Sequence, residues 1–247
     1  MDFNYYIALE STSNTFMDGK GFAFWFRKIR KIFLILFVAQ LVYIILLKWV
    51  DPPITITQLS NWIGGYGLKR DYVDIKEMSP NVRLAVMASE DQLFPDHNGF
   101  DMTSIKQAWM ERSKKHKRIR GASTISQQVA KNVFLWQGGG WIRKGLEAYT
   151  TFMIELTWGK KRILEMYLNV SEMGKGVFGI EAASRFYFNK SAKKLNRTEA
   201  AMIVACFPNP KKIRVNPPSH YVTQRYPQIL AQMNNLEPDE DIQELLK

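Results

Sequence analysis

The chain has 247 residues, and 46% of them are hydrophobic, which excludes general disorder and allows one substantial domain with a small additional element. Its net charge of +11 favours anionic partners such as nucleic acid, anionic lipid or a phosphate-bearing substrate. A single cysteine, Cys206, excludes an intramolecular disulfide and a cysteine-based metal site, and its apolar neighbours predict a buried core residue.

The N-terminal region predicts a membrane anchor. Residues 1–31 form a polar and then basic tail, and the apolar stretch 32–50 is long enough to cross a bilayer, interrupted by Gln40 and Lys48. Basic residues precede this stretch, which predicts a cytoplasmic tail and a main body across the membrane. A cleaved signal peptide and a buried soluble helix are the alternatives. The missing small-x-small cleavage site argues against the first, and the length and flanking charges argue against the second.

Three segments follow the anchor. Residues 51–74 are predicted to be a juxtamembrane linker, since they contain a proline pair and the turn-rich sequence GGYG at 64–67. Residues 75–216 are predicted to be the main domain and to be mainly α-helical, because no alternating pattern is long enough for a large sheet. The polar residues 217–247 are predicted to be a peripheral tail.

The first helix of the main domain ends in two acids. Ser79 followed by Pro80 is typical of a helix start, and the run to Ala88 is apolar nearly all round, as in a buried helix. The adjacent acids Glu90 and Asp91 come next. A buried carboxylate is costly without compensation, so either this helix end points to water or the acids have a function.

Further helices are predicted from near Ser123, over Trp141–Trp158 and over Lys160–Val170. Asn196 and Glu199 form the pattern of a capping box before another helix. One stripe of the helix over Trp141–Trp158 carries apolar residues: Ile142, Leu146, Tyr149, Met153 and Leu156.

The helix that starts near Ser123 has a polar face with short side chains and amides. The members of this face are Thr124, Gln127, Gln128 and Lys131. An ordinary amphipathic helix with a solvated face explains the spacing equally well. The composition, however, suits hydrogen bonding to a sugar or phosphate, and the helix start after Gly121 would offer free N–H groups to an anion.

Glu147 follows Arg143 by four residues and Lys144 by three, a spacing that also occurs in ordinary surface salt bridges. A function is favoured because Glu147 lies off the apolar stripe, beside two cations. Glu155 has no comparable surroundings in the sequence and is interpreted as a surface residue.

Three other patterns predict less. The basic run Arg112–Arg120 is typical of a solvated loop or of contact with anionic lipid, and we expect no nucleic acid there. The G-x-G-x-x-G match at 174–179 follows a helix, which favours a turn over a dinucleotide site. The S-x-x-K match at 191–194 lacks the companion motifs of a transpeptidase.

Four segments in order, EDQLFPDHNGFD, GASTISQQVAKN, RKGLE and KKRILEMYLNVSEMGKGVFGIEAAS, resemble the motifs of the peptidoglycan glycosyltransferases. The resemblance covers roughly residues 75–210. Since the chain is short, has a single anchor and lacks a transpeptidase signature, it is similar to the monofunctional members of that family. The implied fold is a mainly α, lysozyme-like lobe with a smaller membrane-proximal lobe, plus one N-terminal transmembrane helix.

The resemblance implies roles for the site residues. Glu90 would be the general base that activates the 4-hydroxyl of lipid II, and Glu147 would position cations or a metal. Asp91 and His97 would organise the site, although His97 could also be a structural turn residue. The sugar and phosphate path would be lined by Ser123, Thr124, Gln127, Gln128 and Asn132. Tyr167 and Asn169 would shape the cleft rather than react.

The implied donor is a growing glycan on undecaprenyl pyrophosphate, whose leaving group needs charge neutralisation more than proton donation. Lys131, Arg143 and Lys144 could supply this charge, as could a divalent cation such as Mg²⁺ or Mn²⁺. No organic cofactor is expected. The implied location is a bacterial inner membrane with a periplasmic catalytic domain, where other cell-wall synthesis proteins would be partners.

Two alternatives stay open at this point. A membrane-anchored, lysozyme-like lytic enzyme would also use a glutamate, but it needs a protonated acid for a poor leaving group. A scaffold protein of the cell-wall machinery that has lost catalysis is the other alternative. The presence of both Glu90 and Glu147 argues against the scaffold.

Overall fold

A computed structural model describes residues 19–115 and 123–247 and divides the chain after Leu46 into two units, each described by itself. In the first unit, helix α1 spans Gly19–Leu46. Within the described ranges, Phe22–Leu46 is the one helical stretch long and apolar enough to cross a membrane, which fits a single-pass anchor. The helix begins before the predicted span 32–50 and ends at Leu46. Lysine and arginine are good helix formers, so the basic cluster continues the helix toward the N-terminus. Residues 1–18 of the predicted tail lie outside the described ranges.

The second unit begins with a segment that has more structure than a linker. Helix α2 spans Ile56–Ile63, and Thr55 and Gln58 form a capping box at its start. Strand β1 covers Lys69–Arg70, and a single 3₁₀ turn covers Ile75–Glu77.

Helix α3, Pro80–Glu90, is the centre of the core. The side chain of Ser79 accepts a hydrogen bond from the backbone of Asn81 and Pro80 occupies the first turn, so the predicted helix start is confirmed. Every residue from Val82 to Ala88 is buried. Such a run needs neighbours on all sides, which later helices supply.

The remaining elements confirm a mainly α fold. Their bounds are α4 Met102–Lys115, α5 Ile125–Phe134, α6 Trp141–Thr157, α7 Lys160–Val170, β2 Glu172–Gly174, β3 Val177–Phe178, α8 Ile180–Phe188, α9 Arg197–Val204, α10 His220–Leu236 and α11 Glu240–Leu246. Among the described residues there is one small sheet in the order β1-β3-β2, with β3 parallel to β1 and antiparallel to β2. Helix α5 packs against α6 and α7, while α9 and α10 pack against α3.

Two of the short patterns are ordinary structure. The match at 174–179 forms the β2–β3 hairpin between two helices, in keeping with a turn rather than a nucleotide site. Asn196 and Glu199 form the predicted capping box of α9. Of the basic run Arg112–Arg120, the backbone up to Lys115 belongs to α4 and the rest lies outside the described ranges.

The polar C-terminal segment is not peripheral. Residues 217–247 form α10 and α11, and α10 packs directly on α3. The buried side chains are Val222, Ile229, Met233, Ile242 and Leu245. Those of α10 recur at helical spacing, and the polar residues between them obscured this pattern in the composition.

Helix α6 is oriented opposite to a usual amphipathic helix. Its predicted apolar stripe is largely exposed, with Ile142 at 81% and Leu156 at 69%. The opposite face is buried and carries Glu147, Thr150 and Thr151. The interior of this part of the domain therefore receives the polar side of the helix, and with it a carboxylate.

The contact between α10 and α3 can be tested by shortening Ile229, which is fully buried. We expect Ile229→Ala to lower the free energy of unfolding by about 2–5 kcal/mol, since it leaves a cavity in the core. Urea unfolding of the detergent-solubilised chain measures this. Gln224→Ala, on the exposed side of the same helix, should stay within about 0.5 kcal/mol of the wild type. Equal effects of the two changes would contradict the docking of α10.

Candidate active site

Glu90 is the last residue of α3 and lies where the buried core meets a surface cleft. Its Oε2 accepts a hydrogen bond of 2.9 Å from Nε2 of Gln128 on α5. Burial raises the pKa of Glu90; this effect outweighs the hydrogen bond from Gln128 and the positive charge of Arg225, which both lower it. The apolar end of α3 thus gives a carboxylate that holds a proton more tightly than an ordinary glutamate.

The cleft beside Glu90 has a volume of about 280 Å³. Small polar side chains line it: Ser89, Gln92, Asp101, Ser104 and Ser123. Ser123 is exposed, as a ligand-binding residue should be. A cleft with several hydroxyl and carboxyl groups around one perturbed carboxylate suits a polar substrate such as a sugar.

Asp91, which also lines the cleft, forms a structural joint with His97. Asp91 Oδ2 accepts from the backbone N–H of Ile125 at 2.9 Å, and its carboxylate contacts Nε2 of His97 at 3.0 and 3.1 Å. The backbone N–H of Gly99 donates to Nδ1 of His97, so the ring proton that faces Asp91 is on Nε2. Both residues therefore organise the turn next to Glu90, in keeping with the organising role that the resemblance implied.

Thr124 and Gln127 are occupied within the protein. They form a capping box at the start of α5, and Thr124 also donates to the carbonyl of Gly99 at 2.7 Å. Both side chains are nearly fully buried. Thr124 also lines the cleft, so the predicted place of Thr124 and Gln127 in a substrate path stays a prediction beside their capping role. Helix capping uses the same short polar residue types as sugar binding.

Glu147 lies on the buried face of α6 within a cluster of cations. Arg143 Nη1 is 2.6 Å from one carboxylate oxygen, and Lys144 Nζ contacts the other. Lys131 of α5 faces the same group: burial lowers the pKa of Lys131, and the negative charge of Glu147 is the largest effect that raises it. Arg143, Lys144 and Lys131 together carry more positive charge than Glu147 neutralises, and this surplus suits an anionic ligand.

Lys131 also links the two glutamates electrostatically, since Glu90 raises its pKa as well. Gln128, which holds Glu90, lies one helical turn before Lys131 on α5. Asn132, the next residue, accepts a hydrogen bond from Gln137, which also donates to Thr57. Helix α5 therefore contributes Gln128 to the surroundings of Glu90 and Lys131 to the surroundings of Glu147.

Sequence reasoning missed two residues near the site. Glu155 accepts hydrogen bonds from Ser126 and Lys160, and Lys160 also donates to the carbonyl of His97, so this cluster joins α6 to the turn beside Glu90. Arg225 of α10 acts on the pKa of Glu90. The sequence feature that could have identified Arg225 is its position between Val222 and Ile229, which places it on the face of α10 that packs inward.

The side chains around Glu147 do not fit a divalent cation held by the protein. Both carboxylate oxygens already contact cations, and the described residues contain no group of three or more acidic, histidine or cysteine side chains placed for a metal.

A helical domain with one carboxylate of raised pKa on a polar cleft, and a second carboxylate among cations, suits an enzyme of glycosyl transfer. The chain belongs to the transglycosylase family, whose family model matches residues 57–234. It is 47% identical to the biosynthetic peptidoglycan transglycosylase of Haemophilus influenzae (strain PittEE), over 81% of this chain and 87% of that relative. It is 54% identical to the proteins of the same name from Yersinia pseudotuberculosis serotype O:3 (strain YPIII) and Yersinia pestis (strain Pestoides F), over 72% of this chain and 76% of each.

The capping role of Thr124 can be separated from substrate binding. We expect Thr124→Ala to lower the free energy of unfolding by about 1 kcal/mol, the usual effect of losing a helix cap, and to leave KM unchanged. Urea unfolding and steady-state kinetics on one preparation check both statements. Ser123→Ala is the matched control, since Ser123 is exposed and should leave stability unaltered. A raised KM with unaltered stability for Thr124→Ala would instead show that Thr124 binds substrate.

Proposed function

We propose that this enzyme polymerises lipid II into β-1,4-linked glycan strands and releases undecaprenyl pyrophosphate. The observation that carries the proposal is the pairing of Glu90, whose pKa is raised and which opens on a cleft, with the cation cluster around Glu147. The names of the relatives give the proposal its polymer, peptidoglycan.

The proposed reaction needs a base. The 4-hydroxyl of the acceptor sugar is a poor nucleophile and must lose its proton as it attacks. A carboxylate whose proton affinity is raised by an apolar setting suits this task, and Glu90 has this setting at the end of α3. One displacement with inversion converts an α-linked donor into a β-linked product.

The leaving group needs positive charge rather than a proton donor. Lys131, Arg143 and Lys144 are placed to bind the pyrophosphate of the donor, while Glu147 holds Arg143 and Lys144 together against their mutual repulsion. A divalent cation, if the reaction uses one, would enter bound to the pyrophosphate. Ser123, Gln128 and Asn132 are the remaining polar residues proposed to contact substrate.

A lytic enzyme that cleaves finished strands is not favoured. Such an enzyme protonates a sugar oxygen that leaves poorly, and it has no use for a cation cluster. Supplying the purified enzyme with lipid II or with finished strands separates the two functions. Cleavage of strands without polymerisation of lipid II would contradict the proposal.

We propose a single-pass topology in a bacterial inner membrane, with the N-terminus cytoplasmic and the catalytic domain periplasmic. The asymmetry of basic residues supports it, because Arg27, Lys28, Arg30 and Lys31 lie in the N-terminal half of α1 and Lys48 is followed by no further base until Lys69. Contact with other cell-wall synthesis proteins stays a prediction. The catalytic domain is proposed to continue beyond residue 216 through α10, which carries Arg225.

The general-base role predicts the effect of Glu90→Gln. This change keeps the shape of the side chain and removes the proton acceptor, so we expect loss of lipid II polymerisation with folding and donor binding retained. Polymerisation assays, circular dichroism and donor-binding titrations measure the three properties. Glu77→Gln, an exposed carboxylate, is the matched control and should be fully active. Near-normal turnover by Glu90→Gln would refute the base role.

The anion site predicts the effect of Lys131→Ala. Loss of a half-buried cation should weaken donor binding, and it should lower kcat/KM by about tenfold to 150-fold, since charge-assisted contacts to phosphate contribute on the order of 1.5–3 kcal/mol. Lys161→Ala removes an exposed lysine from α7 and serves as the control. If donor affinity and rate are unchanged in Lys131→Ala, Lys131 does not belong to the pyrophosphate site.

A further inference from the structure

Tyr167 of α7 is a buried ionisable residue to which the mechanism above gives no role. Its side chain is 1% exposed, and its ring packs against Phe207 at 6.0 Å between centroids. Its hydroxyl lies 3.3 Å from Oε1 of Gln128, the residue whose Nε2 donates to Glu90 at 2.9 Å. The amide of Gln128 therefore bridges a tyrosine hydroxyl in the core and the carboxylate at the cleft.

The orientation of this amide matters for the charge on Glu90. An ionised carboxylate only accepts hydrogen bonds, so it is stabilised when the NH₂ group of Gln128 faces it. In the reversed orientation the amide oxygen would face Glu90, which would favour a protonated carboxyl instead. The two orientations have nearly the same shape, so packing alone does not select between them.

A donor at the other end of the amide can make the selection. We propose that Tyr167 is a positioning residue: its O–H donates to Oε1 of Gln128 and holds the amide with its NH₂ group toward ionised Glu90. This inference rests on the proposed role of Glu90 as the base. It assigns Tyr167 a part in the reaction, although its buried hydroxyl touches no substrate.

The surroundings of Tyr167 suit a permanent donor. Burial raises the pKa of Tyr167 well above the usual range, and the negative charge of Glu90 raises it further. The hydroxyl therefore keeps its proton at neutral pH. In the reversed orientation the amide oxygen would face Glu90 and the NH₂ group would face the Tyr167 hydroxyl. The O–H of Tyr167 would then lose Gln128 as its acceptor.

The direct test is Tyr167→Phe in the full-length enzyme, with lipid II polymerisation followed as kcat/KM against pH. The rate of a reaction that needs an ionised base rises with pH through the pKa of that base. Because a hydrogen bond from Gln128 lowers the pKa of Glu90, losing the fixed donor should move the acid limb toward higher pH. We expect a shift of roughly half a unit to one pH unit, with rates that approach the wild type at alkaline pH. An acid limb identical to that of the wild type would overturn the proposal.

A double-mutant cycle tests whether Tyr167 acts through Gln128. Gln128→Met keeps the length of the side chain and removes the amide, so it should shift the acid limb in the same direction. In this background, Tyr167→Phe should add no further shift. Independent, additive shifts would overturn the proposal. If Tyr167→Phe does not fold, the test rests on Gln128→Met. An acid limb of Gln128→Met identical to that of the wild type would show that the amide does not influence Glu90, and it would overturn the proposal.

Tyr72→Phe is a matched control. Tyr72 also pairs with a buried glutamine, Gln58, at 2.7 and 3.0 Å, and this pair contacts neither catalytic glutamate. It should lose comparable stability and keep the wild-type acid limb; a shifted limb would show a general effect of tyrosine loss and would overturn the proposal. Glu90→Gln distinguishes failure of the proposed base role of Glu90 from failure of the positioning role of Tyr167. Full activity of Glu90→Gln defeats the base role, whereas an inactive Glu90→Gln with an unshifted Tyr167→Phe defeats only the positioning role.

Discussion

The carboxylate of Asp91 joins the end of α3 to the beginning of α5, and the rest of the site depends on this joint. This carboxylate accepts hydrogen bonds from the first backbone N–H of α5 and from His97, so its buried charge has partners. Its negative charge also stabilises the N-terminus of α5. Because α5 is fixed there, Gln128 meets Glu90 and Lys131 lies one turn further on. Without this joint the neighbouring glutamate would have no fixed partner.

The two glutamates are given different surroundings by the same helix. Burial at the end of an apolar helix raises the proton affinity of Glu90 by more than the amide of Gln128 and the cation on α10 lower it. Glu147 has direct contacts to Arg143 and Lys144 and an electrostatic neighbour in Lys131. Environments that differ in this way suit identical side chains to different tasks: in the proposed reaction Glu90 exchanges a proton and Glu147 holds cations. The exposed apolar stripe of α6 is a consequence, since its polar face is needed inside.

Local rules were sufficient for much of the fold. The start of α3 at Ser79 and Pro80, the capping box at Asn196 and the mainly α class followed from residue types at fixed spacing. Two adjacent acids after an apolar helix indicated that Glu90 has unusual surroundings, and the resemblance implied its role as the base. Contacts between distant segments were not predictable in this way. Thr124 has the same residue type whether it caps a helix or binds a sugar, and Arg225 was missed because polar neighbours hid the inward face of α10.

The proton affinity of Glu90 is the central claim, and difference infrared spectroscopy measures it most directly. The carboxyl band of the wild type is titrated with pH, and the spectrum of Glu90→Gln is subtracted to isolate the one group. The account predicts a band that titrates above the ordinary glutamate range near 4.3, at the same pH as the acid limb of the polymerisation rate. A band that titrates within the ordinary range, or at a pH unrelated to the rate, would contradict it.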